Sequence, residues 1–330
     1  MTVPVDEFRR ISSIVVNWRR PLLVTHVSPD GDALGCLVAM RSILRRFNAQ
    51  PITVSFDPVP RQYQLLVDRE PIAVLNTDIS LSDLDRADGV LVLDTCALSQ
   101  LEPIAEWLRE ASCPKVAVDH HVSRDPLADE YLIDEQASAA CAIIHDWARA
   151  CDWPIDAETA QALYIGTATD TGWFRFSNCD AHVHHIAADL VGRGVTPELV
   201  YRRIYESESA ARMRLLGAVL DAMELYEDDR LAVLPLTTAL FKRTGTGPQD
   251  TENLINHAMR IESVEVAVLL AEAGDDRVKV SFRSKGQVDV AQLAAGFGGG
   301  GHVRAAGARI KGTLEHVKEK IRASIKDHLP

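Results

Sequence analysis

Residues 21–35 read Pro21-Leu22-Leu23-Val24-Thr25-His26-Val27-Ser28-Pro29-Asp30-Gly31-Asp32-Ala33-Leu34-Gly35, and the order in which residue types change along them decides the fold. The apolar run from Pro21 to His26 predicts a β-strand. A turn follows around Pro29, and from Ala33 to Phe47 the residues Leu34, Leu37, Val38, Ile43 and Leu44 fall at approximately helical spacing. A second strand is predicted over Ile52 to Phe56, which completes a βαβ unit. Further out, Gly89-Val90-Leu91-Val92-Leu93-Asp94 and Lys115-Val116-Ala117-Val118-Asp119 are again short and almost continuously apolar. Strands of that kind belong to a parallel sheet covered on both faces. The expected class is therefore α/β, a parallel-sheet N-terminal domain with helices on both faces.

Helices are expected over Ser138 to Ala150, over Ala157 to Thr169 with Asp156 as its cap, and over Asp180 to Val191. The charge-rich stretch from Pro197 to Glu224 carries helical but no strand signal and reads as a connector. From Arg230 onward the pattern changes: strands Leu231 to Leu236, Val264 to Leu270 and Val278 to Ser284, helices Thr251 to Met259 and Thr313 to Ile325, and a glycine run between. This is a smaller α+β domain, expected to face the first across a cleft. The division expected is residues 1–195, a helical connector 196–226, and residues 227–330.

The chain has 330 residues with 35 Lys plus Arg against 47 Asp plus Glu, a formal charge of -12. Such a balance builds in no long-range attraction to polyphosphate, which excludes a long-duplex binding module. No apolar run approaches the roughly 18 residues of a membrane span. The six cysteines are scattered without a C-x-x-C pair, so the expectation is reduced thiols and a cytoplasmic protein.

The chemistry concentrates at strand ends. His26, Asp30 and Asp32 lie just beyond the first strand, Asp94 closes the strand at Val90 to Leu93, and Asp119-His120-His121 closes the next. In open α/β sheets the loops beyond the carboxyl ends of strands are where ligands bind. A fourth acid, Asp170, begins Asp170-Thr171-Gly172-Trp173-Phe174-Arg175-Phe176 after a predicted helix. The donor inventory is carboxylates and imidazoles with no thiolate, which argues against structural zinc and suits Mn²⁺, with Mg²⁺ or Co²⁺ as substitutes.

The set His26-x-x-x-Asp30-x-Asp32, Asp94, Asp119-His120-His121 and Asp170-Thr171-Gly172 resembles the signature motifs of the DHH phosphoesterase superfamily. Within it the wording is most similar to the nanoRNase and 3'-phosphoadenosine 5'-phosphate (pAp) phosphatase family. The resemblance implies two Mn²⁺, one held by His26, Asp30 and Asp94 and the other by Asp32, Asp94, His120 and Asp170. Asp94 would bridge them, His121 would bind phosphate or protonate the leaving oxygen, and Asp119 would orient His120 or its neighbours. It further implies hydrolysis of short 5'-phosphorylated RNA oligonucleotides to mononucleotides and dephosphorylation of pAp, a nucleotide 3',5'-bisphosphate. A cyclic-dinucleotide or linear-dinucleotide phosphodiesterase and a non-catalytic nucleotide-binding sensor are the alternatives. A homodimer is the default expectation for the assembly.

The second domain supplies a candidate anion site. Ser281, Arg283 and Lys285 alternate along one predicted strand and so share a face. The run Phe297-Gly298-Gly299-Gly300-Gly301-His302-Val303-Arg304 offers backbone N–H groups beside an imidazole and a guanidinium. Ser281, Arg283, Lys285, Gly299, Gly300, Gly301, His302 and Arg304 are the expected substrate contacts. This pattern resembles the DHH-associated C-terminal domain, whose implied role is to hold the nucleotide.

Overall fold

The computed structural model describes residues 3–122, 124–251, 253–274 and 276–329, apart from the side chains of Gln249 and His302. The chain divides into two compact units, Met1–Ser207 and Glu208–Pro330.

In the N-terminal unit, β1 (Leu22–Val24), β2 (Ile52–Ser55), β3 (Ala73–Val74), β4 (Val90–Leu93), β5 (Lys115–Asp119) and β6 (Glu130–Ile133) form one sheet in the order β3-β2-β1-β4-β5-β6. Every pairing is parallel. The period-two alternation of a strand explains the near-continuous apolar runs. Leu23, Leu91, Leu93, Val116 and Val118 join one core with the helices Gly31–Arg45, Ala140–Ala150 and Ala157–Asp170. Their neighbours Leu22, Val24, Val90, Val92 and Ala117 join a second core on the other face, with Leu101, Ile104 and Leu108.

The strand order reverses direction between β1 and β4, so the loops after β1, β4 and β5 open side by side at one sheet edge. A crevice outside the carboxyl ends at such a switch point is where α/β sheets bind ligands. The short strands β3 and β6 and the first helix, Val5–Val15, add to the elements expected from the sequence.

In the C-terminal unit, β7 (Glu224–Tyr226), β8 (Leu231–Leu236), β9 (Val266–Glu272), β10 (Arg277–Ser284), β11 (Gly300–His302) and β12 (Ala305–Lys311) form a mixed sheet in the order β11-β12-β10-β9-β8-β7. Only β8 and β9 run parallel. Alternating residues again feed two cores: Val266, Val268 and Leu270 pack with Val317 and Ile321, whereas Ala267, Leu269 and Ala271 pack with Leu254 and Ile255.

The segment 196–226, read from the sequence as a connector, is shared between the units. Helix Pro197–Tyr205 buries Val200 and Ile204 in the first unit's core. Helix Ala210–Asp221 buries Leu215 and Val219 in the second, and Glu224–Tyr226 is that sheet's edge strand. Three residues are too short to carry a strand pattern of their own, which is why β7 is silent in the sequence. Within the glycine run, residues 300–302 pair with β12 as an edge strand.

Candidate metal centre

The three adjacent strand ends deliver their polar residues to one place. His26 lies two residues beyond β1, Asp94 directly follows β4, and His120 and His121 follow β5. Asp30 caps the helix Gly31–Arg45, accepting from the N–H groups of Asp32 and Ala33 at 3.0 and 3.1 Å. Asp32 lies in that helix's first turn, and Asp170 ends the helix Ala157–Asp170 packed against it. His26, Asp30 and Asp94 offer ligand atoms that all lie within 4.8 Å of one another, and so do Asp32, His120 and Asp170. The six metal-ligand positions inferred from the sequence are thus brought together.

Asp94 is the shared member. One carboxylate oxygen is 3.6 Å from His26 Nε2 and the other 3.5 Å from His120 Nε2. His120 Nε2 is also 3.6 Å from Asp170 and 4.0 Å from Asp32. These gaps are long for hydrogen bonds, and Asp94 Oδ1 is buried with no hydrogen-bond partner among the described residues. An orphaned buried carboxylate oxygen is costly, and a cation with bonds of ~2 Å to oxygen and nitrogen is the natural partner across such gaps.

Both imidazoles are oriented for that partner. His26 Nδ1 lies 2.8 Å from the Val27 carbonyl oxygen and His120 Nδ1 lies 3.1 Å from that of Ala137. An Nδ1–H donated to a carbonyl leaves the Nε2 lone pair free to ligate. Asp32 is held from below: its carboxylate accepts the Ala140 and Cys141 N–H groups, at 2.6 and 2.9 Å, at the start of the helix Ala140–Ala150. Gly166 makes the room, because a Cβ there would stand 2.7 Å from Asp32 Oδ1 and 2.3 Å from Cys141 Sγ.

The electrostatics show a cluster short of positive charge. Burial and the charges of Asp94 and Asp170 push Asp32 well above the usual carboxylate range. Burial likewise raises Asp170 to about 6, against the attraction of His120. Burial opposes charge on His26 and His120, yet Asp94 beside each outweighs it, lifting them to about 9 and about 10. The same two imidazoles pull Asp94 below the usual range despite its burial. Crowded carboxylates take up protons where cations are lacking, so the donor set fits divalent ions chemically as well as spatially.

Asp119 has a more specific place than the sequence assigned. Its buried Oδ1 accepts the backbone N–H groups of His120 and His121 and lies 2.7 Å from His121 Nδ1. It therefore orients His121, while the Ala137 carbonyl orients His120. The Asp119 bond raises the His121 pKa, and the ring is 55% exposed.

In the C-terminal unit the register aligns Ser281 with Gly307 and Gly300, and Arg283 with Ala305 and His302, in two neighbouring rows across β10, β12 and β11. Among the described residues no carboxylate pairs with Arg283, whose guanidinium is desolvated and donates to the adjacent Phe282 carbonyl. Arg304 lies against Gly286. Lys285 stands beyond the strand end, and its ammonium donates to the carbonyls of Ile261 and Glu262, both at 2.8 Å. The side chain of His302 lies outside the described residues. Gly299 and Gly301 are demanded by packing, since a Cβ at either would come within 2.5 Å of a carbonyl oxygen on the paired strand; Gly300 faces open space.

Sequence reasoning missed the Ala140 and Cys141 N–H groups and the Ala137 carbonyl, because backbone groups carry no residue signature. The one available signal was Gly166, isolated within a helical pattern, where glycine usually has a packing reason.

Comparison with known proteins agrees with this architecture. The profile of the DHH family N-terminal domain matches residues 21–167, and that of the DHHA1 domain matches residues 229–329. The chain belongs to the DHH family of phosphoesterases, with a DHH domain followed by a DHHA1 domain. It is 28% identical over 331 residues to the bifunctional oligoribonuclease and PAP phosphatase NrnA of Thermus thermophilus, covering 98% of this chain and 95% of that protein. An exopolyphosphatase-related protein from Bacteroides fragilis shares the fold with a TM-score of 0.90 at 24% identity, over 99% of this chain and 97% of that one. The fold also recurs in RecJ of Thermus thermophilus in complex with Mn²⁺, with a TM-score of 0.55 at 14% identity, over 99% of this chain and 55% of that one. Among the described residues no helix is long and apolar enough to cross a membrane.

Proposed function

We propose that the chain is a Mn²⁺-dependent phosphoesterase that cleaves short 5'-phosphorylated oligoribonucleotides to mononucleotides and removes the 3'-phosphate from pAp. The observation that carries this reading is the pair of ligand groups joined through the orphaned carboxylate of Asp94. In it, His26, Asp30 and Asp94 would hold one cation and Asp32, Asp94, His120 and Asp170 the other. When bound, such a pair neutralises phosphoryl charge and activates water for in-line displacement.

This chain's own groups do the rest. His121, fixed at Nδ1 by Asp119, turns its Nε2 outward as the proton donor to the leaving oxygen. Arg283, without a carboxylate partner among the described residues, receives a substrate phosphate on the C-terminal unit, with Ser281, the open backbone at Gly300, and Arg304 around it. The full-length relation to a protein named for both activities supports this choice of substrates, and the charge of -12 favours short ones.

The test is turnover by metal-stripped protein with Mn²⁺ restored, against pAp, 5'-phosphorylated RNA from dimer to long oligomer, a cyclic dinucleotide and pyrophosphate. Release of mononucleotide or phosphate from the short substrates, absent in Asp94→Ala, is expected. Nucleotide binding with no turnover on any of them would replace the enzyme by a sensor, and preference for the cyclic dinucleotide would replace the substrate.

A further inference from the structure

The turn after Asp170 presents an aromatic ring that the fold leaves more than half exposed. Trp173 and Phe174 behave as core residues: both rings pack on Tyr164, Trp173 also meets Tyr201 and Tyr205, and Phe174 stacks on His184. Phe176 takes part in none of these ring contacts and is 56% exposed. Among the described residues of the N-terminal unit, the two most exposed large apolar side chains are Val122, at 77%, and Phe176. One directly follows His121 and the other lies six residues beyond Asp170, so both belong to segments that carry the site.

The backbone that carries Phe176 is tied down by hydrogen bonds. Gly172, Trp173 and Phe174 all have positive φ, at 56, 62 and 62°, a run that costs free energy at the two bulky residues. Hydrogen bonds hold it: Gly172 N–H to Thr169, Trp173 N–H to Ala168, and Arg175 and Phe176 N–H to Thr171, at 2.6–3.0 Å. Asn178 ties the turn to the Asp170 and Ser138 carbonyls at 3.3 and 3.1 Å. One part of the Phe176 ring rests on Gly172, where a Cβ would come within 2.3 Å of it. A Gly172 side chain would therefore displace the ring.

We propose that Phe176 is a stacking platform for a nucleobase of the substrate, next to the phosphate being attacked. The inference rests on the nucleotide reading above and adds a binding residue that the metal motifs do not contain. A single exposed ring suits a flat base, since every nucleobase offers a π-face to stack on an aromatic side chain. It is too small for a protein partner, which needs about 800 Å² on each side.

Two readouts test it in Phe176→Leu and Phe176→Tyr, both with Mn²⁺ present. The first is equilibrium binding of AMP against ribose 5-phosphate, which lacks the base. The second is KM and kcat for 5'-phosphorylated diadenylate. Phe176→Leu is expected to weaken AMP about tenfold, to leave ribose 5-phosphate unchanged, and to raise KM about tenfold with kcat within about twofold; Phe176→Tyr restores all three. Equal binding of AMP to wild type and Phe176→Leu, or parallel weakening of both ligands, overturns the platform. If wild type fails to cleave diadenylate, the proposed activity fails, and the difference between AMP and ribose 5-phosphate still decides the stacking.

Discussion

The two sheets of this protein have the same number of strands and bury both faces under helices, yet they present polar residues in opposite ways. In the parallel sheet every strand ends at the same edge, so single residues after β1, β4 and β5 meet although nearly a hundred residues separate the first from the last. In the mixed sheet, apart from the parallel pair β8 and β9, neighbouring strands end at opposite edges. Its polar groups gather on a face instead, in rows set by register, as Ser281 and Arg283 do across from β12 and β11. Parallel topology concentrates charge, which calls for a cation; antiparallel topology spreads donors over an area, which suits an extended anion.

The strongest way to break that contrast is to remove Asp94. Asp94→Ala is expected to abolish binding of both cations and to lower turnover at least about a thousandfold, as read by metal titration and kinetics. If one cation still binds at full affinity, Asp94 does not join the two groups.

Within the acidic edge, Asp119→Asn is expected to leave metal stoichiometry intact and to lower kcat about ten- to a hundredfold, the scale for losing a group that orients a site residue. A changed metal stoichiometry would move Asp119 from positioning His121 to shaping the ligand set.

On the C-terminal face, Arg283→Gln is expected to raise KM about tenfold with both cations still bound. Lys285→Gln should change KM by less than about twofold, because the ammonium is already engaged by the Ile261 and Glu262 carbonyls. Equal effects at the two positions would restore Lys285 to the substrate site.

The smallest effect concerns the scaffold of Asp170. Asp156 caps the helix Ala157–Asp170 through the Thr159 N–H at 2.9 Å and pairs with Arg46 at 2.6 Å. Burial pushes its pKa up, but these two partners outweigh it and hold the carboxyl below the usual range. A depressed folded-state pKa stabilises the fold above the unfolded value of ~3.9, and that stabilisation is lost as pH falls through the folded value. Asn caps a helix as well as Asp, so Asp156→Asn removes only the charge that faces Arg46 and the helix N-terminus and is expected to cost about 0.5 kcal/mol at neutral pH. The gap in urea midpoints should close as the pH drops below about 4; a gap that stays constant with pH would mean the carboxylate charge contributes nothing.

Much of this was legible in the chain because the first sheet's strands are fully buried. Val90 to Leu93 and Lys115 to Asp119 stand out as apolar runs, and the charged residues terminating them mark the edge where the site forms. β3, β6 and β7 stayed hidden because two to four residues at a sheet edge carry little periodic signal. Lys285 illustrates the limit for side chains: alternation placed it on the face of Ser281 and Arg283, but the strand ends at Ser284 and local carbonyls take up its charge.

The sequence by itself determined the α/β class and the acids and imidazoles that stand at the strand ends, because both depend on residue type and local spacing; the choice of six ligands among them is what the resemblance to the DHH superfamily implies. Only the tertiary structure decided which groups act together. The crossing of two helices at Gly166 sets Asp32 beside Asp170, backbone carbonyls choose the tautomers of His26 and His120, and Asp119 serves His121. Those choices are made by backbone groups and by distances between segments far apart in the chain, and neither is written in the identity of any single residue.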